Sequence, residues 1–320
     1  MKGRGPGMKE LRIHAGLFVV AAVAAFLTWN RETVSEADRG LILAWDRDTT
    51  DVASVQYQSP VADLLIERRM DADGDFLWAV ESGERHPDAL EYPVGAPGHT
   101  LVGRLASLRV IRDLGELSPE QLARYGLVDA EERIAVRFGD ELRELVVGDS
   151  IFGGGDRYAV EPATGIGYVI PRDLVNPLRI GEGAIRERWL HHFQDAEVAT
   201  VRVAAATGGE PRTMARGEAG EWTGPENAEP DAGFANLMER IGQLAIAGYG
   251  VDPSSLGNLM PLLRVDYIDA EGSTLGFMEL FRDSAGERDP YYIRSERTRV
   301  LAHAVTTLAE RVEQGLGEAF

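Results

Sequence analysis

The middle half of the chain presents one series of landmarks twice, in the same order. The paired landmarks are residues 51–57 and 197–203, Trp78 and Trp222, residues 125–129 and 249–253, and residues 134–138 and 263–267. Landmarks that recur in one order with loops of different length indicate a duplicated architecture. The sequence therefore predicts an α+β fold with two tandem repeats of an antiparallel-sheet-plus-helix domain, at residues 46–185 and 193–317.

Local patterns predict individual elements within the two copies. Alternation of side chains places Ala53, Val55 and Tyr57 on one face of the first strand. Ser118 and Gln121 have the spacing of a helix capping box, which predicts the start of a short helix there. Strands joined by hairpins, with helices between them, are typical of α+β domains.

Charge and missing residue types exclude several classes of function. The net charge is −19, and because four basic residues against one acidic residue precede residue 13, the remainder carries −22. So acidic a surface repels phosphate backbones and disfavours nucleic-acid binding. It fits either a solvated surface or an acidic docking face for a basic partner. The absence of cysteine, and of lysine after Lys9, excludes thiolate nucleophiles, Cys-ligated zinc and Schiff-base chemistry from the folded part.

The N-terminal residues predict a membrane anchor. Residues 13–29 contain no Asp, Glu, Lys or Arg, and as a helix they would span about 25 Å, the short end for a bilayer core. The basic leader, residues 1–12, precedes this span, and residues 30–45 follow it as a stalk. This arrangement predicts a single-pass membrane protein with its N-terminus inside and the remainder of the chain outside. A cleaved signal peptide is the alternative.

Two segments resemble catalytic or metal-binding motifs. Gly148-Asp149-Ser150 is similar to the nucleophile block of Gly-Asp-Ser-Leu hydrolases, but the partner blocks of those enzymes are missing from the sequence. A hairpin corner explains the segment, because Asp and Ser cap turns locally. Adjacent His191 and His192 point to different faces of a helix or strand, so one metal ion cannot easily take both. The sequence predicts no catalytic residue, no metal site and no cofactor.

Tryptophans provide the only candidate ligand platform. Trp78 and Trp222 occupy equivalent positions in the two copies, as core-anchoring residues would. If they were exposed, they could stack sugars, and so could Trp45 and Trp189. Buried core residues and a ligand platform at Trp78 and Trp222 therefore remain as alternative interpretations.

One set of residues resembles a known bacterial family. The set combines a Tyr-Gly-Leu element with a Gly-Asp corner and a later tyrosine, namely Tyr125, Gly126, Leu127, Gly148, Asp149 and Tyr158. It is similar to an uncharacterised domain-of-unknown-function family of single-pass envelope proteins, associated with gliding-motility-type ABC transporters. With the predicted anchor, the resemblance implies a location in the bacterial inner membrane, with a cytoplasmic N-terminus and periplasmic C-terminal domains. The family usually has a proline shortly after Tyr-Gly-Leu, where this chain has Ala130. No catalytic residues are established for the family, so the resemblance implies none here.

These features lead to a functional hypothesis with two alternatives. The hypothesis is a non-enzymatic, membrane-anchored accessory subunit of an ABC-type transporter. The resemblance implies that its tandem domains bind the ABC permease and ATPase complex or an auxiliary subunit with a large periplasmic domain. One alternative is an envelope module that binds glycan or peptidoglycan through exposed aromatic side chains. The other is a hydrolase that uses Ser150 as its nucleophile.

Overall fold

The fold is built mainly from antiparallel strands. The computed structural model describes residues 40–72, 74–206, 210–217, 219–225, 229–251, 257–284 and 291–320. The strands in those residues are β1 (Ile42–Leu43), β2 (Val52–Gln58), β3 (Ala62–Asp71), β4 (Gly74–Gly83), β5 (His86–Pro93), β6 (Arg109–Val110), β7 (Arg112–Glu116), β8 (Glu132–Phe138), β9 (Glu141–Ser150), β10 (Arg157–Glu161), β11 (Ile166–Ile170), β12 (Thr200–Ala205), β13 (Arg212–Arg216), β14 (Trp222–Thr223), β15 (Ile246–Gly248), β16 (Leu259–Ile268), β17 (Thr274–Asp283), β18 (Tyr291–Ser295) and β19 (Ala302–Ala304). The α-helices are α1 (Ala96–Ala106), α2 (Pro119–Arg124), α3 (Arg172–Ile180), α4 (Glu182–Ile185), α5 (Ala232–Gly242) and α6 (Thr306–Ala319), and short 3₁₀ turns cover Thr49–Asp51 and Asp195–Glu197.

The first large sheet has nine strands in the order β5-β4-β3-β2-β8-β9-β10-β11-β7. Neighbouring strands pair antiparallel throughout. In β2, Val52, Val55 and Tyr57 are buried, whereas Ala53 is exposed. The register between β2 and β8 shifts between Val52 and Ser54. The prediction that Ala53 shares a face with Val55 and Tyr57 is therefore wrong. One extra residue in the pairing moves the side chains before it to the opposite face of the strand.

The second large sheet has eight strands in the order β14-β13-β12-β16-β17-β18-β19-β15. The hairpin of β16 and β17 forms its longest pairing, with ten residues in each strand. A third sheet contains only β1 and β6. Residues Ile42–Phe320 form one compact unit. Its largest cluster of buried apolar side chains includes residues of both large sheets and of α1, α3, α5 and α6.

A buried carboxylate ties α3 to the first sheet. The carboxylate of Glu132, on β8, accepts hydrogen bonds from the hydroxyl of Tyr57 at 2.9 Å, from Arg157 Nη2 at 3.1 Å and from Arg179 Nε at 2.7 Å. Burial, followed by the charge of Glu132, raises the pKa of Tyr57 to about 12. Since every partner of this carboxylate comes from the fold itself, the cluster is a structural link between helix and sheet.

The predicted fold class is wrong. The α+β class with a transmembrane helix and two tandem sheet-plus-helix repeats gives way to a mostly β protein with three sheets, about 45% strand and 24% helix. The segments with alternating apolar and polar side chains form long strands, and β3, β4 and β9 each have ten residues. Several helices are short: α2 has six residues and α4 has four. A tandem repeat is not shown.

The predicted membrane location is also corrected. In the part of the chain that the structure describes, no helix has both the length and the apolar character needed to cross a bilayer. The predicted span, residues 13–29, lies outside that part. The predicted location, a single-pass inner-membrane protein with periplasmic C-terminal domains, depended on such a helix.

Candidate functional site

The residues that join the two large sheets are central to the candidate site. We call residues 186–194, between α4 and the following 3₁₀ turn, the connector. The backbone N–H of Glu187 donates to the carbonyl oxygen of Pro93 at 2.8 Å, at the end of β5. A Cβ at Gly95 would lie 2.6 Å from the carbonyl oxygen of Arg186. The close approach of the connector to the first sheet therefore requires glycine at position 95.

The carboxylate of Glu187 fixes the backbone of the connector. This side chain belongs to a residue that is only 5% exposed. Its Oε1 accepts the backbone N–H groups of Arg188 and Trp189, each at 2.8 Å, and its Oε2 accepts Arg297 Nε at 2.7 Å. A buried carboxylate is tolerated when it is paired and fully hydrogen-bonded. The consequence is that Trp189 is presented on a backbone whose conformation is already fixed.

A second carboxylate holds the other end of the connector. Oε2 of Glu296, just after β18, accepts the backbone N–H of Phe277 at 3.0 Å. Its Oε1 lies 3.1 Å from His191 Nδ1 and 3.5 Å from His192 Nδ1. A Cβ at Gly276 would lie 2.5 Å from the Glu296 carboxyl carbon, so glycine makes room for this carboxylate. The adjacent histidines thus meet at one carboxylate, and groups of three or more potential metal ligands are absent from the described residues.

An apolar groove opens beside the connector. It has a volume of about 790 Å³. Apolar side chains from the connector, α5 and the second sheet line it, including Leu190, Phe193, Trp222, Met238, Ile241 and Tyr267. Trp189 also lines the groove and is 68% exposed, while Trp222 is 6% exposed. Burial first, and the charge of Glu296 second, raise the pKa of Tyr267 well above its usual range. The groove therefore has an apolar floor and a single large aromatic side chain in solvent.

Charged residues at the groove differ in whether they already have partners. Arg216 Nη2 pairs with Asp195 Oδ2 at 2.7 Å, and the same guanidinium lies 5.7 Å from the Trp222 ring centroid. Arg188 donates to a backbone carbonyl oxygen of the segment before the connector. Glu239, on α5, is exposed. Within the described residues it has neither a hydrogen bond nor an ion pair through its side chain. Glu239 is thus the charged group at the groove that remains available to a partner.

A second cavity, which we call the cleft, is lined by two other residues of the connector, Glu187 and His192. It has a volume of about 670 Å³ and is lined by residues of both large sheets. Arg299 Nε pairs with Asp71 Oδ2 at 2.7 Å, and its guanidinium lies 4.0 Å from the centroid of the Phe76 ring. Arg299 has φ of 58°, a left-handed value that no other described non-glycine residue adopts. These contacts join the turn before β19 to the hairpin of β3 and β4.

The cleft also contains a histidine that is disfavoured as a cation. Burial, then the guanidinium of Arg68, lower the pKa of His99, and the charge of Arg297 acts in the same direction. Arg297 itself is paired with Glu187. Three of the charged groups of the cleft, Glu187, Arg297 and Arg299, therefore have partners within the protein, whereas Asp75 is exposed there and has no side-chain partner among the described residues.

The structure brings the family-motif residues together at the end of β9. The rings of Tyr125 and Tyr158 stack with centroids 4.1 Å apart. The backbone N–H of Asp149 donates to the carbonyl oxygen of Tyr125 at 2.9 Å. Gly126 has φ of 66°, and a Cβ there would lie 2.5 Å from a carboxylate oxygen of Asp149. This geometry explains why the segment has glycine at 126.

Leu127 and Gly148 complete the same corner. Leu127 is buried in a small apolar cluster with Val146 and Val160. A Cβ at Gly148 would lie 2.3 Å from the carbonyl oxygen of Tyr125 and 2.8 Å from a Leu127 methyl group. These contacts account for the motif by packing and turn geometry. Ser150 is exposed next to this corner, and within the described residues no histidine forms a hydrogen bond with it.

The two tryptophans singled out in the sequence are both buried. Trp78 is 5% exposed and its Nε1 donates to Glu91 Oε2 at 2.9 Å, while Trp222 packs edge-on against Phe234. Burial argues against the role of sugar platform for this pair. Among the tryptophans that the structure describes, the exposed one is Trp189 instead. Its sequence context gave a weak signal, since it follows a charged run and belongs to no alternating strand or helical stripe.

Comparison with known proteins gives a family but no function. A family model described as "Domain of unknown function (DUF4340)" matches residues 99–259, just over half of the 320 residues. No curated protein and no solved structure matches the chain. The matched range includes the motif corner, the connector and most of the groove. On this match, the chain belongs to the DUF4340 family.

Proposed function

We propose that this protein is a non-enzymatic interaction module that binds a partner protein in the groove. The observation that carries the proposal is the exposure of Trp189, at 68%, on a backbone fixed by Glu187. Tryptophan is enriched among residues that dominate binding energy at protein interfaces. A side chain that is already held in place loses less conformational entropy on binding. Trp189 and the groove together have the character of a preformed docking surface.

Other binding partners fit the groove less well. A sugar platform built on Trp78 and Trp222 is disfavoured because both are buried. A second copy of the chain would bring together two molecules of net charge −19, which repel each other. Nucleic acid is disfavoured by the same charge. A protein partner requires only apolar contact with the floor and a polar rim, which the groove provides.

The partner that we propose is an ABC-type transporter. The support is the resemblance of the Tyr125–Leu127 element and the Gly148–Asp149 corner to proteins associated with gliding-motility-type transporters. In this role the protein is an accessory subunit that contacts the permease, the ATPase complex or an auxiliary subunit through the groove. Because the motif residues pack against each other, their part in this function is to maintain the fold.

Affinity purification of the tagged full-length protein from its native cells tests the proposal. Wild type is compared with Trp189→Ala and with Phe152→Ala, a control that removes a fully exposed aromatic side chain outside the groove. We expect the permease and ATPase to be recovered with wild type and with the control, and to be lost with Trp189→Ala. Equal recovery with Trp189→Ala would contradict docking in the groove. Repeated recovery of other proteins alone would contradict the transporter assignment.

A further inference from the structure

We infer that the groove selects a cationic apolar segment, in which a lysine or arginine of the partner pairs with Glu239 while apolar neighbours contact Trp189. This inference rests on the proposed docking function and adds the chemistry of the partner. It depends on which charged groups at the groove are already paired and which are not.

The arginines at the groove already have hydrogen-bond or ion-pair partners within the protein. Arg216 is bound by Asp195 at 2.7 Å and lies over Trp222, and Arg188 donates to a backbone carbonyl oxygen. Moving either guanidinium to an incoming carboxylate would break an existing contact. An acidic partner therefore finds no free cation among the described groove residues.

Glu239 is in the opposite situation. It is exposed on α5, lines the groove and has no side-chain partner within the described residues. An incoming cation can pair with it without displacing another group. The ion pair would form beside apolar surface, where partial loss of water strengthens the attraction relative to an open surface.

The charge of the whole chain acts in the same direction. At −19, and −22 after residue 12, the protein attracts cationic segments from a distance and repels anionic ones. Long-range attraction raises the association rate, and the local pair at Glu239 gives the groove its selectivity. The apolar floor, with Trp222, Ile241 and Tyr267, gives the remaining contacts for leucine-like or aromatic anchors.

Two model peptides test the inference against the full-length protein. The basic probe is an amphipathic peptide of leucine and lysine, and the acidic probe has glutamate in place of each lysine; affinities are measured by fluorescence anisotropy of the labelled peptides. We expect the basic probe to bind wild type and the acidic probe to bind at least tenfold more weakly. Glu239→Gln should weaken the basic probe about fivefold, which corresponds to the upper range of an exposed ion pair.

Matched variants separate local pairing from general charge attraction. Glu131→Gln removes the same charge from an exposed position directly before β8, and it should leave the affinity of the basic probe within twofold of wild type. Glu239→Lys should shift the preference toward the acidic probe, which should bind this variant more tightly than it binds wild type. Equal weakening by Glu131→Gln and Glu239→Gln would overturn the inference, because charge attraction would then be nonspecific.

The outcomes also distinguish this inference from the proposed function. If Trp189→Ala weakens both probes while Glu239→Gln changes neither, the groove binds partners without charge selection, and only the inference fails. If the basic probe binds Trp189→Ala as tightly as wild type and Phe152→Ala, the docking function fails with it. Failure of both probes to bind wild type overturns the inference as well.

Discussion

The cleft and the groove are both lined by residues of the connector, yet their lining side chains differ in their partners. In the cleft, Glu187 is paired with Arg297, and Arg299 is paired with Asp71. In the groove, by contrast, the side chain of Trp189 is largely in solvent. Both cavities have volumes suited to a ligand.

This difference teaches that the partners of the lining residues, and not the volume of the cavity, distinguish a cavity between structural elements, such as the cleft, from a binding surface, such as the groove. Groups that already satisfy one another lose contacts when a ligand enters, whereas an exposed tryptophan on a fixed backbone gains them. The Glu187 carboxylate contributes to both regions, since it pairs with Arg297 in the cleft and accepts the backbone N–H of Trp189. The contacts of Glu187 in the cleft therefore help to hold Trp189 of the groove in its conformation.

The largest effect is expected for the buried tryptophan of the groove floor. Trp222→Ala removes a side chain that is 6% exposed and packs against Phe234, and such truncations lower the free energy of unfolding by about 3–5 kcal/mol. Trp189→Ala should change it by less than about 0.5 kcal/mol, because exposed positions contribute little to stability. Urea denaturation followed by circular dichroism measures both. Similar losses for the two variants would break the distinction between floor and rim.

The next effect tests whether the contacts of Glu187 in the cleft stabilise the conformation of the groove. Glu187→Ala leaves the guanidinium of Arg297 and the N–H groups of Arg188 and Trp189 without their acceptor. Removal of one partner of a largely buried ion pair should lower the free energy of unfolding by about 3 kcal/mol. Glu187→Gln, which retains one oxygen acceptor, should lose less. A destabilised but folded Glu187→Ala protein that still binds the groove partner with wild-type affinity would show that the two regions are independent.

A smaller effect on stability is expected at Arg299, the residue of the cleft with a left-handed backbone conformation. Arg299→Ala removes the Asp71 pair and the contact with Phe76 while it keeps a side chain at φ of 58°, so we expect a loss of about 1–2 kcal/mol. Arg299→Gly loses the same contacts but relieves the left-handed conformation, which disfavours non-glycine residues by about 1 kcal/mol. The glycine variant should therefore be the more stable of the two in thermal denaturation. A less stable glycine variant would show that backbone strain at position 299 is negligible.

Local sequence signals predicted local features of the fold well. The capping box at Ser118 and Gln121 is confirmed, because it depends only on residues three positions apart. Buried Val55 and Tyr57 also follow the predicted alternation. The position of Ala53 was wrong, since the irregularity in pairing with β8 depends on a strand some eighty residues away. The balance of strand and helix was wrong for a related reason, because strand length is set by pairing partners that the local sequence does not identify.

The candidate site was harder to predict than the fold. The sequence singled out Trp78 and Trp222 as a candidate ligand platform, and both are buried; Trp189 was named only as a further aromatic residue that could stack sugars, and it is 68% exposed. Its importance depends on Glu187, Arg297 and the floor of the groove, which come from distant parts of the chain. The meeting of His191 and His192 at Glu296 likewise needs the second sheet in place. Such constellations are tertiary, so periodicity and spacing alone do not reveal them.

The smallest stability effect is expected at the N-terminus of α5, the helix that carries Glu239 into the groove. Asp231 Oδ1 accepts the backbone N–H of Phe234 at 2.9 Å, and its other oxygen pairs with Arg212 at 2.6 Å. Loss of such a cap in Asp231→Ala should lower the free energy of unfolding by about 1 kcal/mol at pH 7. Asp231→Asn keeps the capping oxygen and should lose less.

The dependence on pH gives this prediction a second readout. The backbone N–H of Phe234, followed by the Arg212 hydrogen bond, lowers the pKa of Asp231. A carboxylate whose pKa is lower in the folded state contributes stability above its unfolded pKa of about 3.9, and that contribution is lost as the pH falls through the folded value. The difference in melting temperature between wild type and Asp231→Asn should therefore be greatest at neutral pH and should shrink below about pH 4. A constant difference across that range would show that the carboxylate charge does not stabilise this wall of the groove.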